Sequence, residues 1–364
     1  MMSHKTDLSK TWKLDPRSTF ASRAARAQEI ARELLLSIDH RTFALLVVPL
    51  VAFLPAQLAY GVALFRSDMR YRLSGSYPNQ IKYSMKYLFG DRLNAIQLDH
   101  AARDYFRSES CATIDAMRML GGGKSLLGLV EVRGLEHLNA ALAGRRGAIL
   151  CGAHLGSYKS LFSLVGALGF PVTEVARWSY SNEPETTLGR LLYRLERDYP
   201  VRSHLSRPII EHRPGNYGTA VRAAKTLLQN GFVGIMIDAE PKPGDPSKPM
   251  VFSFLGRRAN LVPGATVIAQ LIGAPAIVVL LYRSADWRHQ ILEISPPIYV
   301  EKDPLVAFRQ CLTLVEAAIL RHPSQWQFLA ALQLVRLGLL PREEALAIRR
   351  KSRADREPVD DSPA

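Results

Sequence analysis

Between residues 128 and 283, short apolar runs alternate with helical stretches, and that alternation leaves few architectures open. "GLVEVR" (128–133), "GAILCG" (147–152), "GFVGIMI" (231–237) and "PAIVVLLYR" (275–283) are bounded by turn residues and read as strands. "GLEHLNAALAG" (134–144) and the segments 217–230 and 263–273 read as helices. Residues 94–120, proline-free with spaced apolar positions, read as a long amphipathic helix. Strands alternating with helices predict an α/β fold: a central, mostly parallel or mixed sheet flanked by helices.

Ahead of this region stands "FALLVVPLVAFLPAQLAYGVALF", residues 43–65, without one charged side chain. As a helix it would reach roughly 35 Å, enough to cross a hydrocarbon core of about 30 Å. Pro49 and Pro55 each remove a backbone donor, so a kinked helix in one leaflet and a buried core helix are the competing readings. Basic residues flank both ends, so charge does not orient the segment. The expected organisation is a basic N-terminal segment (1–42), a membrane-associated hydrophobic helix (43–66), an α/β domain (67–345) and a charged, proline-containing tail (346–364) that reads as disordered.

A formal net charge of +14 predicts attraction to anionic lipid or to an acidic protein partner. Nucleic acid is the weaker reading, because the basic residues are dispersed and form no recognisable module. The three cysteines, Cys111, Cys151 and Cys311, stand far apart and give neither a disulfide framework nor a zinc pattern. "GGGKS" (121–125) imitates the end of a phosphate-binding loop, but Arg118 occupies the place of the required first glycine and a helix precedes it. Cys151, inside "AILCG", reads as a small buried apolar residue rather than a nucleophile.

His154 follows a strand and precedes Gly156 and a helix. Far along the chain "IDAEP" supplies Asp238 and Glu240 at the end of another strand. If both strands lie in one sheet their ends converge, and a carboxylate there can fix the tautomer of a general-base histidine and stabilise its imidazolium. Residues two apart in an extended segment point the same way, so either Asp238 or Glu240 fits that role.

Four stretches in order carry a family resemblance: "EVRGLEHLNAALAGRRGAILCGAHLGS", "LLQNGFVGIMIDAEP", "VFSFLGRRANLVPGATVIAQLIGAPAIVV" and "HPSQWQF". Residues from about 70 to 330 resemble the bacterial lipid A biosynthesis (lauroyl/myristoyl) acyltransferases of the lysophospholipid acyltransferase superfamily. The resemblance implies transfer of a fatty acyl chain from acyl carrier protein or acyl-CoA to a hydroxyl or amine of an anionic lipid or glycolipid. It also implies a bacterial inner-membrane location with the catalytic domain facing the cytoplasm. His154 would be the general base, and no cofactor, metal or covalent intermediate is implied. Backbone N–H groups near Gly156, or Arg257 and Arg258, are the expected donors to the oxyanion.

One departure stands out. The family's histidine is followed, five positions on, by Asp or Glu, and here that position is Lys159. A lysine cannot accept the imidazole N–H. Either Asp238 or Glu240 supplies the carboxylate and Lys159 serves as a cation toward the substrate, or the chain is an inactive relative that binds lipid or a partner enzyme.

Overall fold

Burial of the apolar runs on both faces builds the centre of the sheet. The structure, a computed structural model, describes residues 54–120, 124–176, 205, 208–212, 218–240 and 249–355. Seven strands hydrogen-bond in the order β1 (Val130–Arg133), β9 (Gln290–Ile294), β8 (Ala276–Arg283), β2 (Ala148–Gly152), β5 (Phe232–Met236), β3 (Val172–Ala176) and β4 (Ile210–Glu211). The five from β8 to β4 are mutually parallel; β9 turns back antiparallel on β8, and β1 pairs parallel with β9. The sheet is mixed and mostly parallel, as the strand–helix alternation predicts.

Successive residues of each strand serve opposite faces. Ile149 and Cys151 of β2 join Val233 and Val278 in a core beneath α6 (Gly218–Leu228), α7 (Gly264–Ile272) and α8 (Pro304–Arg321). Ala148 and Leu150 join Phe232 and Ile277 on the other face, beneath α4 (Leu135–Ala143) and α5 (Leu161–Ala167). Burial on both faces explains why these strands read as continuous apolar runs instead of alternating ones. The glycine in "GFVGIMI" has a packing reason: a Cβ on Gly234 would lie 2.5 Å from the Phe162 ring, so only a bare backbone lets α5 close on the sheet.

The N-terminal helices pack outside this sandwich. α1 (Ala56–Leu73) lays Ala59, Tyr60 and Ala63 against Cys111 and Ile114 of α3 (Ala95–Leu120), and α2 (Tyr77–Phe89) also packs on α3. A hairpin of β6 (Met250–Phe254) and β7 (Arg257–Leu261) stands apart from the sheet. At the C-terminus follow α9 (Ala331–Arg336) and α10 (Arg342–Ala354).

Two expectations need correction. The apolar segment 43–65 does not continue as one helix: Pro55, with ψ 143°, precedes α1, which starts at Ala56 and runs on into charged sequence. Residues 43–53 lie outside the described residues, and no described helix is long and apolar enough to cross a membrane. The tail boundary at 345/346 falls inside α10, which buries Ala345, Ile348 and Ser352 and adjoins α2. An i, i+3, i+7 spacing of small and apolar residues was masked in the sequence by the surrounding charge. Residues 356–364, the glycines 121–123 and residues 241–248 lie outside the described residues.

Candidate active site

The β2–β5 register determines where the site forms. Gly152 pairs with Met236, and two residues beyond each come His154 and Asp238. Their side chains meet: His154 Nδ1 lies 2.7 Å from Asp238 Oδ1, and the His154 backbone N–H donates to Asp238 Oδ2 at 2.9 Å. A carboxylate acceptor holds the proton on Nδ1 and leaves the Nε2 lone pair available as a base. Asp238 is fully buried, whereas the His154 side chain keeps 19% of its exposure. The imidazole can therefore be reached from outside while its carboxylate partner stays dry.

Asp238 is the carboxylate, and Glu240 is not. β5 ends at Met236 and the chain bends at 237–238, so the extended geometry that would put both acids on one face is lost. Glu240 instead accepts from Arg336 of α9 at 3.2 Å.

A segment after α8 completes the site. Trp326 Nε1–H donates to Asp238 Oδ2 at 3.0 Å, the Gln327 N–H to the His154 carbonyl at 2.9 Å, and the Gly156 N–H to the Gln325 carbonyl at 2.9 Å. The imidazole contacts two rings, Phe328 at 4.4 Å and Tyr158 at 4.8 Å between centroids. On the side of α3, Ser157 and Tyr60 both donate to the buried carboxylate of Asp115, which also pairs with Arg283 of β8. Gln325 bridges the two supports, accepting from the Arg283 N–H at 2.7 Å and donating to its carbonyl at 3.0 Å. Removing either partner of a buried ion pair such as Asp115–Arg283 costs about 3–5 kcal/mol, because a bare charge remains.

Two of the expected oxyanion donors, the Gly156 N–H and Arg257, are engaged elsewhere. Gly156 adopts φ +55°, and a Cβ there would lie 2.4 Å from the Leu281 carbonyl oxygen; its N–H is committed to Gln325. The Leu155 and Ser157 N–H groups are also hydrogen-bonded, to Ala153 and Leu281. Gly156 thus shapes the loop without offering a donor. Arg257 donates to the Tyr87 carbonyl at 2.6 Å and stacks over the Tyr87 ring, pinning the hairpin to α2. Arg258, its neighbour on β7, is exposed.

Tyr158 is the group that the sequence reading overlooked. It stands four residues after His154 on a short 3₁₀ turn, Tyr158–Ser160, that also carries the half-buried Lys159. Burial pushes its phenol up by more than the Lys159 charge pulls it down, so it stays a neutral donor. Glu174 on β3 also acts on Tyr158, and burial pushes that carboxyl up to about 8. Cys151 behaves as expected: it is fully buried in the core, and its thiol is pushed well up, first by contact with Cys311 and then by burial. Among the described residues no cluster of His, Cys, Asp and Glu could hold a metal ion.

No protein-family model matches this chain, and no curated protein sequence matches it.

Proposed function

We propose that this chain is an acyltransferase that moves a fatty acyl group from an acyl thioester to a hydroxyl or amine of a membrane lipid or glycolipid. The observation that carries the reading is the 2.7 Å His154–Asp238 pair at the C-terminal ends of two parallel strands. Loops at such strand ends are where α/β folds bind and convert ligands. His154 Nε2 takes the proton of the acceptor O–H or N–H as that atom attacks the thioester carbonyl. The tetrahedral intermediate then breaks its C–S bond, and the imidazolium returns the proton to the departing thiolate. The products are an ester or amide and a free thiol. Asp238 steadies the transient imidazolium, as a buried carboxylate does in histidine-based acyl transfer.

Tyr158 is the donor we assign to the developing oxyanion, since its ring adjoins the imidazole and its phenol is held neutral. Lys159 adds a cation beside it, suited to a phosphate or carboxylate on the substrate. The stripe Leu58, Val62, Phe65 and Met69 on the exposed face of α1 favours contact with lipid, and the net charge of +14 favours anionic headgroups and an acidic carrier protein as donor. We place the protein on the cytoplasmic face of a bacterial inner membrane. Mass spectrometry of lipids extracted from cells with and without the protein tests this: one lipid should be heavier by one acyl group only where the protein is present. Identical lipid profiles would leave an inactive lipid-binding relative as the better description.

A further inference from the structure

We infer that Trp326 is a positioning residue of this site: its indole N–H sets how strongly Asp238 holds the His154 imidazole, and so tunes the basicity of Nε2. This deepens the proposed acyl transfer and rests on it only for the kinetic readout. Asp238 has no solvent exposure, and three N–H groups share its negative charge. Two come from His154 itself, one from its ring and one from its backbone. The third is Trp326 Nε1, from a segment 88 residues further along the chain.

Trp326 is itself fully buried, and its backbone bridges to Leu155 beside His154. Packing against Phe254 and Phe328 fixes the ring plane, so the N–H has one direction to point. Packing alone would ask only for an apolar ring. What tryptophan adds is a single neutral donor that disperses charge on a buried carboxylate without competing for the imidazole. Without it, the Asp238 charge falls more heavily on the His154 Nδ1–H bond, and the imidazolium gains stability.

Tyr158, from the following turn, lies against the imidazole, and Lys159, Glu109 of α3, Asp238 and Glu174 of β3 act on its phenol. Tyr105 of α3 donates to the Gln327 carbonyl at 3.3 Å, one residue from Trp326. Trp326→Phe alters none of these directly.

Two measurements on the full chain test the inference. In Trp326→Phe the downfield proton resonance of His154 Nδ1–H should move further downfield. The acid limb of the rate–pH profile should move up by about half a pH unit or more, with kcat falling and KM little changed. In the unaltered protein the Trp326 indole N–H, one of four tryptophan signals, should shift with pH at the same midpoint as His154. This second readout needs neither a variant nor a substrate. An indole signal flat through the His154 titration would overturn the inference, as would a folded Trp326→Phe whose resonance and acid limb coincide with the parent's. If the signals move together while no thioester is consumed, the positioning role stands and the acyl-transfer reading fails.

Discussion

Asp238→Asn is the perturbation that most sharply separates catalysis from folding at this site. The substitution keeps the shape of the side chain, and its one oxygen can still accept from the His154 backbone and from Trp326, which both use Oδ2. The amide NH₂ then faces His154 Nδ1 where Oδ1 lies at 2.7 Å. Two donors cannot share that contact, so the ring must move its proton to Nε2, the atom that has to accept one. The imidazolium also loses its buried partner, and unit charges with centres about 4 Å apart attract by about 4 kcal/mol at an effective dielectric of 20. At 1.36 kcal/mol per decade, the rate should fall about 10³-fold. Thiol release from a long-chain acyl thioester in the presence of acceptor lipid gives the rate. The ¹⁵N shifts of labelled His154 give the tautomer. Turnover within a few-fold of the parent, or an unchanged tautomer in the folded variant, would refute the assignment of Asp238 as the orienting carboxylate.

Tyr158→Phe should keep the ring against the imidazole yet lower kcat by about 10²-fold, with thioester KM nearly unchanged; parallel losses in substrate affinity would mark it as a binding group instead. Glu174→Gln should stabilise the protein at alkaline pH. The Glu174 carboxyl sits at about 8 when folded against 4.5 otherwise, so the folded state holds a proton that the unfolded chain gives up between those values. The parent therefore loses stability as pH rises from 4.5 to 8, on the order of a few kcal/mol, and thermal melts of the two proteins should converge near pH 4 and diverge by pH 8. Gly156→Ala should cost 2 kcal/mol or more, roughly, in chemical denaturation, because it joins a φ of +55° to a methyl 2.4 Å from a carbonyl oxygen.

The strands were legible because burial on both faces writes itself as continuous apolar runs, and β2, β5 and β8 lie where those runs stand. His154 and Asp238 were legible for a related reason: each follows such a run at the same distance, so their meeting depends on register alone. Choosing between Asp238 and Glu240 needed the bend at 237–238, which no spacing announces. The structure commits two of the expected donors, Gly156 and Arg257, to other partners, because residue type says what a group can offer, not whether a neighbour already takes it. Gly156 gives its N–H to Gln325 and Arg257 spends its guanidinium on Tyr87. Trp326 and the Asp115–Arg283 support were invisible for a third reason. They reach the site from 88 and 42 residues away in sequence, through contacts that follow no period.

The most direct test is a single-turnover comparison of the parent protein and His154→Ala, each purified and mixed with a radiolabelled long-chain acyl thioester and membrane lipid. The parent should yield a labelled lipid and one equivalent of thiol, while His154→Ala, folded by its thermal melt, should form that product at least about 10³-fold more slowly. Equal rates from both proteins, or no labelled lipid from the parent with any carrier-protein or CoA thioester, would contradict the account.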